Sequence, residues 1–211
     1  MIVIMAIAIL TILFFLIFIV LRNALKPIPN NDSKGKEGEN AVKRTLERLS
    51  ISPKHLFHDY YFIPHDDVSI QIDHIVVCKK GVIVIETKNI SGELFGSESE
   101  EKWRQILAGG RITHEHYNPV MQNQTHIRML SRAIGRNVPF INLVVLVQNN
   151  TEHIVSFAVI GISTLLSRIN KLPDIMGEAT VEEIAHILKT KNAKGKVSHR
   201  SHVRNVRKRH G

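Results

Sequence analysis

Hydrophobic and polar positions divide the chain into four stretches of different character. Between Met1 and Leu21 no side chain is charged, and Ile, Leu, Phe, Val, Ala and Met supply nearly all of the run. A helix of that length, rising ~1.5 Å per residue, covers about 30 Å, the thickness of a bilayer's hydrocarbon core. No basic segment precedes the run and no A-x-A site follows it, so the pattern favours an uncleaved membrane anchor over a signal peptide. The expected anchor is residues 1–22. Residues 23–36 hold two prolines and two adjacent asparagines and read as a linker.

Periodicity changes after that. Val42, Leu46 and Leu49 recur at i, i+4 and i+7, which predicts a helix over 37–50, closed by Pro53. Three β-like runs follow at 56–63, 68–77 and 81–90, the last two joined by a tight turn at Lys79-Lys80-Gly81. The third, Val82-Ile83-Val84-Ile85, is the near-continuous β-branched run of a strand buried on both faces. A polar stretch over 91–117 surrounds Trp103. Val120, Gln124, Ile127, Leu130 and Ile134 then mark a helix over 119–134. Strands are expected at 140–147 and 153–160, and short helices at 163–169 and 181–188. Thr180 and Glu183 have the spacing of a capping box for the last helix. This order predicts an α/β domain, a mixed sheet with helices on both sides, over residues 37–188.

Charge changes the picture at one end only. The net charge of +9 equals the number of Lys and Arg residues between Lys189 and Gly211, where there is no Asp or Glu. The rest of the chain is formally neutral, so the basicity belongs to a tail, residues 189–211, with the composition of a disordered extension. Such a tail can contact anionic lipid or a phosphate backbone. Lysine and arginine follow the anchor and do not precede it, which predicts a single-pass protein of the cell membrane with its N-terminus outside and its domain in the cytoplasm. The single cysteine, Cys78, excludes an internal disulfide and a Cys-rich zinc module, and reads as a small core residue.

Two carboxylates interrupt the apolar strands. Asp73 lies within QIDHIVV and Glu86 within VIVIETK, and a turn at 79–81 brings them to adjacent strands. Lys88 follows Glu86 by two, so the pleat points both to one face. A buried carboxylate is costly unless paired or coordinated. Two carboxylates with room for water suit Mg²⁺, and a neighbouring lysine can orient or deprotonate the attacking water in phosphodiester hydrolysis. The plainer reading of the same residues is a Glu86–Lys88 surface ion pair with Asp73 at a bulge. His114-Glu115-His116 resembles a metal-ligand cluster but, with no further ligand at helical spacing, reads as a polar loop; Trp103 and Tyr117 can stack on bases but read first as packing for a loop against the sheet, and His74 reads as structural.

The D-(x)12-E-x-K pattern, on successive strands after a helix bearing a glutamate, resembles the PD-(D/E)XK nuclease superfamily. Within it the resemblance is to the nuclease-related domain, on Gly35-Lys-Glu-Gly38-Glu39, Gln71-Ile-Asp73-His74, Gly81 to Asn89, Gly92, Trp103 and Asn118-Pro119-Val-Met-Gln122-Asn123. The segments cover residues 35–150. The resemblance implies a restriction-endonuclease-like sheet and a nuclease using Mg²⁺ or Mn²⁺. Asp73, Glu86 and the Thr87 carbonyl would hold the metal, Lys88 would be the catalytic lysine, and Glu39 and Gln122 would complete the site. His126 stands where related sequences often carry tyrosine, and its role is open. Ile72 replaces the proline before the first aspartate.

The expected function is therefore a membrane-anchored nuclease, acting on DNA in the first instance. A different class remains beside it: a non-catalytic module that tethers nucleic acid or another anionic partner at the membrane through the basic tail.

Overall fold

The computed structural model describes residues 31–64 and 69–193. The expected membrane segment and most of the basic tail lie outside the described residues. Among the described residues no helix is long and apolar enough to cross a membrane. The chain divides into units of residues 1–34 and 35–211, and the second holds the sheets.

Among the described residues nine strands form two sheets. The first contains β1 (Leu56–Phe62), β2 (Ile70–Cys78), β3 (Gly81–Lys88), β7 (Phe140–Leu146) and β9 (Val159–Gly161), in that order across the sheet. β1, β2 and β3 are antiparallel neighbours, whereas β3, β7 and β9 run parallel. This is the mixed sheet that the sequence predicts. Helices α2 (Pro119–Ile134) and α4 (Glu178–Lys191) cover one face through Ile127, Leu130, Ile184 and Leu188. Helices α1 (Asn31–Leu46) and α3 (Leu165–Asn170) cover the other through Val42, Leu46, Leu165 and Ile169. With both faces covered, β3 needs the continuous apolar run that its sequence carries.

The second sheet was not foreseen. Residues 91–117, expected as a polar stretch, form β4 (Glu93–Ser97), β5 (Lys102–Leu107) and β6 (Ile112–Tyr117). With β8 (His153–Val155) they make a four-stranded sheet in the order β6-β5-β4-β8. Only one face of this sheet is buried, and even there Gln105 stands beside Leu94 and Trp103. A polar, one-sided sheet leaves little hydrophobic signal. His114, Glu115 and His116 thus lie on a strand and not in a loop. Alternation keeps the three from converging, and Glu115 pairs with Lys102.

Four boundaries also move. Helix α1 begins at Asn31, inside the expected linker, and ends at Leu46. Its first turn carries Asp32, which favours the positive end of the helix dipole. The strand expected at 153–160 is broken, with β8 in one sheet and β9 in the other. The capping box does not form: Gly177 is the N-cap of α4, and Glu183 pairs with Arg136. The domain also runs past Leu188 into the expected tail. There α4 continues to Lys191, and the Ala193 N–H donates to the Tyr61 carbonyl at 2.7 Å.

Candidate active site

The turn between β2 and β3 sets the register of the site. Cys78 pairs with Gly81 across the two-residue turn Lys79-Lys80, and the ladder continues to His74 opposite Ile85. One step further, Asp73 stands beside Glu86. A direct bond confirms the juxtaposition, since the Thr87 N–H donates to Asp73 Oδ2 at 2.8 Å.

Asp73 also sits where the sheet changes phase. Ile70 and Ile72 face the α2/α4 core, and so do Ile75 and Val77. A regular strand would place Ile75 on the opposite face from Ile72, so alternation slips by one between them. The same slip occurs across the ladder in β1, where Phe57, Tyr60 and Phe62 share that core. Asp59 lies at the β1 slip with φ of 52°, between the pairs His58–His74 and Tyr60–Ile72. A left-handed residue inside a strand costs energy, and aspartate is among the few that tolerate it. Gln71 Nε2 donates to Asp59 Oδ1 at 3.0 Å and holds the kink. Sequence reasoning passed over Asp59; its one signal was a lone carboxylate within HDYYF.

The other predicted residues come together at the ends of β3 and α2. Lys88 Nζ donates to Glu86 Oε1 at 2.7 Å and to Gln122 Oε1 at 3.1 Å. The Glu86 side chain is 4% exposed and that of Lys88 25%, so the pair is largely buried and not the surface ion pair of the plainer reading. His126, one turn along α2 from Gln122, brings Nδ1 to 3.7 Å from Glu86 Oε2. Its role, open in the sequence, is therefore to face the second carboxylate. Gln122 is oriented by the start of α2, where Asn118 accepts from the Val120 N–H and Pro119 occupies the first turn.

Glu39 reaches the group through its charge, which acts on Asp73, Lys88 and Tyr61. Helix α1 approaches closely because residue 38 is glycine. A Cβ there would stand 2.7 Å from Asn89 Cβ, on the loop that leaves β3.

The electrostatics are those of crowded carboxylates. Burial, then the neighbouring Glu86 and Glu39 charges, push the Asp73 carboxyl well above its usual pKa, against the opposing pull of the Thr87 N–H and Lys88. Burial alone would lower the Lys88 pKa, but Glu86, Asp73 and Glu39 outweigh it and hold the amine protonated. On the α1 side His74 Nδ1 meets His58 Nδ1 at 2.9 Å. Burial, with His58 and Lys43 nearby, lowers the His74 pKa to about 3, which suits a neutral structural imidazole.

The donors fit a hard divalent cation. Asp73 and Glu86 offer carboxylate oxygens on adjacent strands, and a cation would relieve the repulsion that raises Asp73. Among the described residues no set of three or more His, Cys, Asp or Glu side chains surrounds one point. An ion held here would take backbone oxygen and water for the rest of its shell, as Mg²⁺ does readily. Cys78 is buried away from this site, and burial pushes its thiol up.

Two comparisons with known proteins find a match. Residues 34–147 match the model of the nuclease-related domain. An uncharacterised protein of Bacillus anthracis is 36% identical over 110 residues, which make up 52% of this chain and 51% of that protein. The chain thus spans about half the length of the curated relative it matches. No solved structure matches it.

Proposed function

Because the chain belongs to the nuclease-related domain family of the PD-(D/E)XK superfamily, we propose that it hydrolyses phosphodiester bonds of DNA with the help of Mg²⁺ or Mn²⁺. The observation that carries this reading is the chain of contacts Thr87–Asp73 and Glu86–Lys88–Gln122 at the C-terminal end of the central strand β3. Asp73, Glu86 and the Thr87 carbonyl would hold the cation, which supplies Lewis-acid polarisation of the phosphate.

The remaining work falls to side chains. The Thr87 N–H fixes Asp73 Oδ2 and would leave Oδ1 to the cation. Lys88, kept protonated by its carboxylate neighbours, orients the attacking water and donates to the phosphate oxygens as negative charge builds on them. Gln122 holds the ammonium in place, and Glu39 adds negative potential that favours cation binding. In the same proposal, residues 1–21 anchor the protein in the cell membrane, with the domain in the cytoplasm. The basic residues of 189–211 add sequence-independent contact with nucleic acid or with anionic lipid.

Glu86→Gln tests the reading with little change of shape. Cleavage of labelled DNA in Mg²⁺ should fall by at least 10²–10³-fold, and EDTA should abolish it in the wild-type protein. Mg²⁺ should also raise the melting temperature of the wild-type protein and not of Asp73→Asn, because an ion that binds only the folded state stabilises it. Equal cleavage by Glu86→Gln would refute the assignment. Salt-sensitive DNA binding without cleavage, lost on removal of 189–211, would identify the tethering module in its place.

A further inference from the structure

Beside the charged group lies a pocket of about 140 Å³, bordered by Lys88 and Gln122 on one side. Its other walls include Trp103, His116, Tyr117 and Ile90, so the second sheet supplies most of its rings. A concave, largely apolar site with a few fixed polar groups is the usual form of a ligand pocket.

The rings are held rigidly. Trp103 is 2% exposed, and its Nε1 donates to the Ser97 carbonyl at 2.9 Å. The neighbouring strand clears room for the indole with Gly96, where a Cβ would fall 2.2 Å from Trp103 Cδ1. Gln105 Nε2 donates to the Ser91 carbonyl at 2.7 Å, which leaves its Oε1 to accept from His116 Nε2 at 2.8 Å. That bond fixes the His116 tautomer and makes Nδ1 the acceptor. Burial, then the positive Lys88, lowers the His116 pKa and keeps the ring neutral. Tyr117 is 46% exposed at the mouth, free to stack on an incoming ring.

We propose that this pocket receives one unstacked base of a nucleic-acid strand whose adjoining phosphate lies at Lys88, so that the preferred substrate is single-stranded. The inference rests on the nuclease reading above and names the form of its substrate. Aromatic walls hold any base by its π-face, which gives strand selectivity without sequence selectivity. A base within a duplex must first be unpaired and flipped out, and that cost of a few kcal/mol corresponds to about a ten- to hundredfold preference for the single strand.

Trp103 is the chain's one tryptophan, so its emission reports on the pocket directly. The full chain in mild detergent, carrying Glu86→Gln to prevent cleavage, is titrated with deoxyadenosine monophosphate and, separately, with deoxyribose 5-phosphate. The nucleotide should change the emission saturably and the base-free sugar phosphate should not. Tyr117→Ala should weaken nucleotide binding roughly five- to a hundredfold, the range for loss of one stacking partner. Ile90→Phe, which fills the pocket, should weaken it as well. Equal responses to nucleotide and sugar phosphate, or unchanged binding in both variants, would overturn the proposal. With Glu86 intact, an oligonucleotide should be cut at least about tenfold faster single-stranded than annealed, and equal rates would also overturn it. Base binding without any cleavage would leave the pocket assignment standing and remove the hydrolase.

Discussion

In the five-stranded sheet, β2, β3 and β7 carry runs of Val, Ile and Leu wholly removed from water, and four of the polar residues that interrupt them, Asp73, Glu86, Thr87 and Lys88, belong to the candidate site. In the four-stranded sheet the reverse holds: β6 is almost entirely exposed, and the buried side includes Gln105. Its shape depends on side chains bonding to backbone, with Trp103 and Asn118 both donating to the Ser97 carbonyl. Hydrophobic burial is non-directional, so the first sheet is rigid without specifying a ligand. Hydrogen bonds are directional, and the second sheet uses them to set rings at fixed angles beside the first. The charge of the site comes from one sheet and the aromatic wall from the other.

The largest expected effect is in the first sheet, at Lys88. Lys88→Met removes the cation that Glu86 Oε1 contacts and leaves two crowded carboxylates largely buried. Breaking a buried pair in this way costs about 3–5 kcal/mol, so the denaturation midpoint should fall sharply along with cleavage. The pH dependence has a definite sign. Asp73 has a folded pKa above its unfolded value, so the folded state binds more protons, and this group's contribution falls as pH rises through that window. The deficit of Lys88→Met should therefore shrink on acidification. A deficit that does not change with pH would show that Lys88 acts through packing.

The second sheet should respond at its stitching residue. Asn118 is fully buried; its Nδ2 donates to the carbonyls of Ser97, Glu98 and Glu100, and its Oδ1 caps α2. Asn118→Ala removes the cap and the side-chain donor that ties the 97–100 turn to α2, for a loss of about 1–2 kcal/mol. Amide exchange should rise in β4, β5 and the first turn of α2 while β2 and β3 stay protected. Uniform loss of protection would mean that the two sheets unfold as one unit and that the division drawn here is geometric only.

The same division governs what could be read from sequence. VIVIETK identified β3 and QIDHIVV identified β2, because a β-branched run buried on both faces has few alternatives. Carboxylates within such runs exposed Asp73 and Glu86, and Pro119 with Ile127, Leu130 and Ile134 fixed α2 at its observed bounds. Residues 91–117 gave no comparable signal, since a sheet with one wet face and a polar core residue looks like loop. The slip at Asp59 was hidden for another reason. It is a backbone event, φ of 52° at one aspartate, and alternation counted from either end of the strand looks regular. His126 fell between these cases: its helix face was visible, but its partner Glu86 could be found only by packing α2 on the sheet.

The smallest expected effect is at Glu98, on the edge of the second sheet. Its Oε1 accepts from Ser156 Oγ at 2.6 Å and from the Phe157 N–H at 3.0 Å, and so ties the β8–β9 connection to β4. The Ser156 hydroxyl, followed by the backbone N–H groups, outweighs desolvation and lowers the carboxyl pKa. A depressed folded pKa gives stability that is present above the unfolded value and lost as pH falls through the folded one. Glu98 is exposed, so solvent screening limits the gain to under about 1 kcal/mol. Glu98→Gln should thus sit slightly below wild type near neutral pH and converge with it between about pH 5 and pH 3. Parallel curves across that window would show that the carboxylate's charge contributes nothing and that hydrogen-bonding shape alone holds the edge.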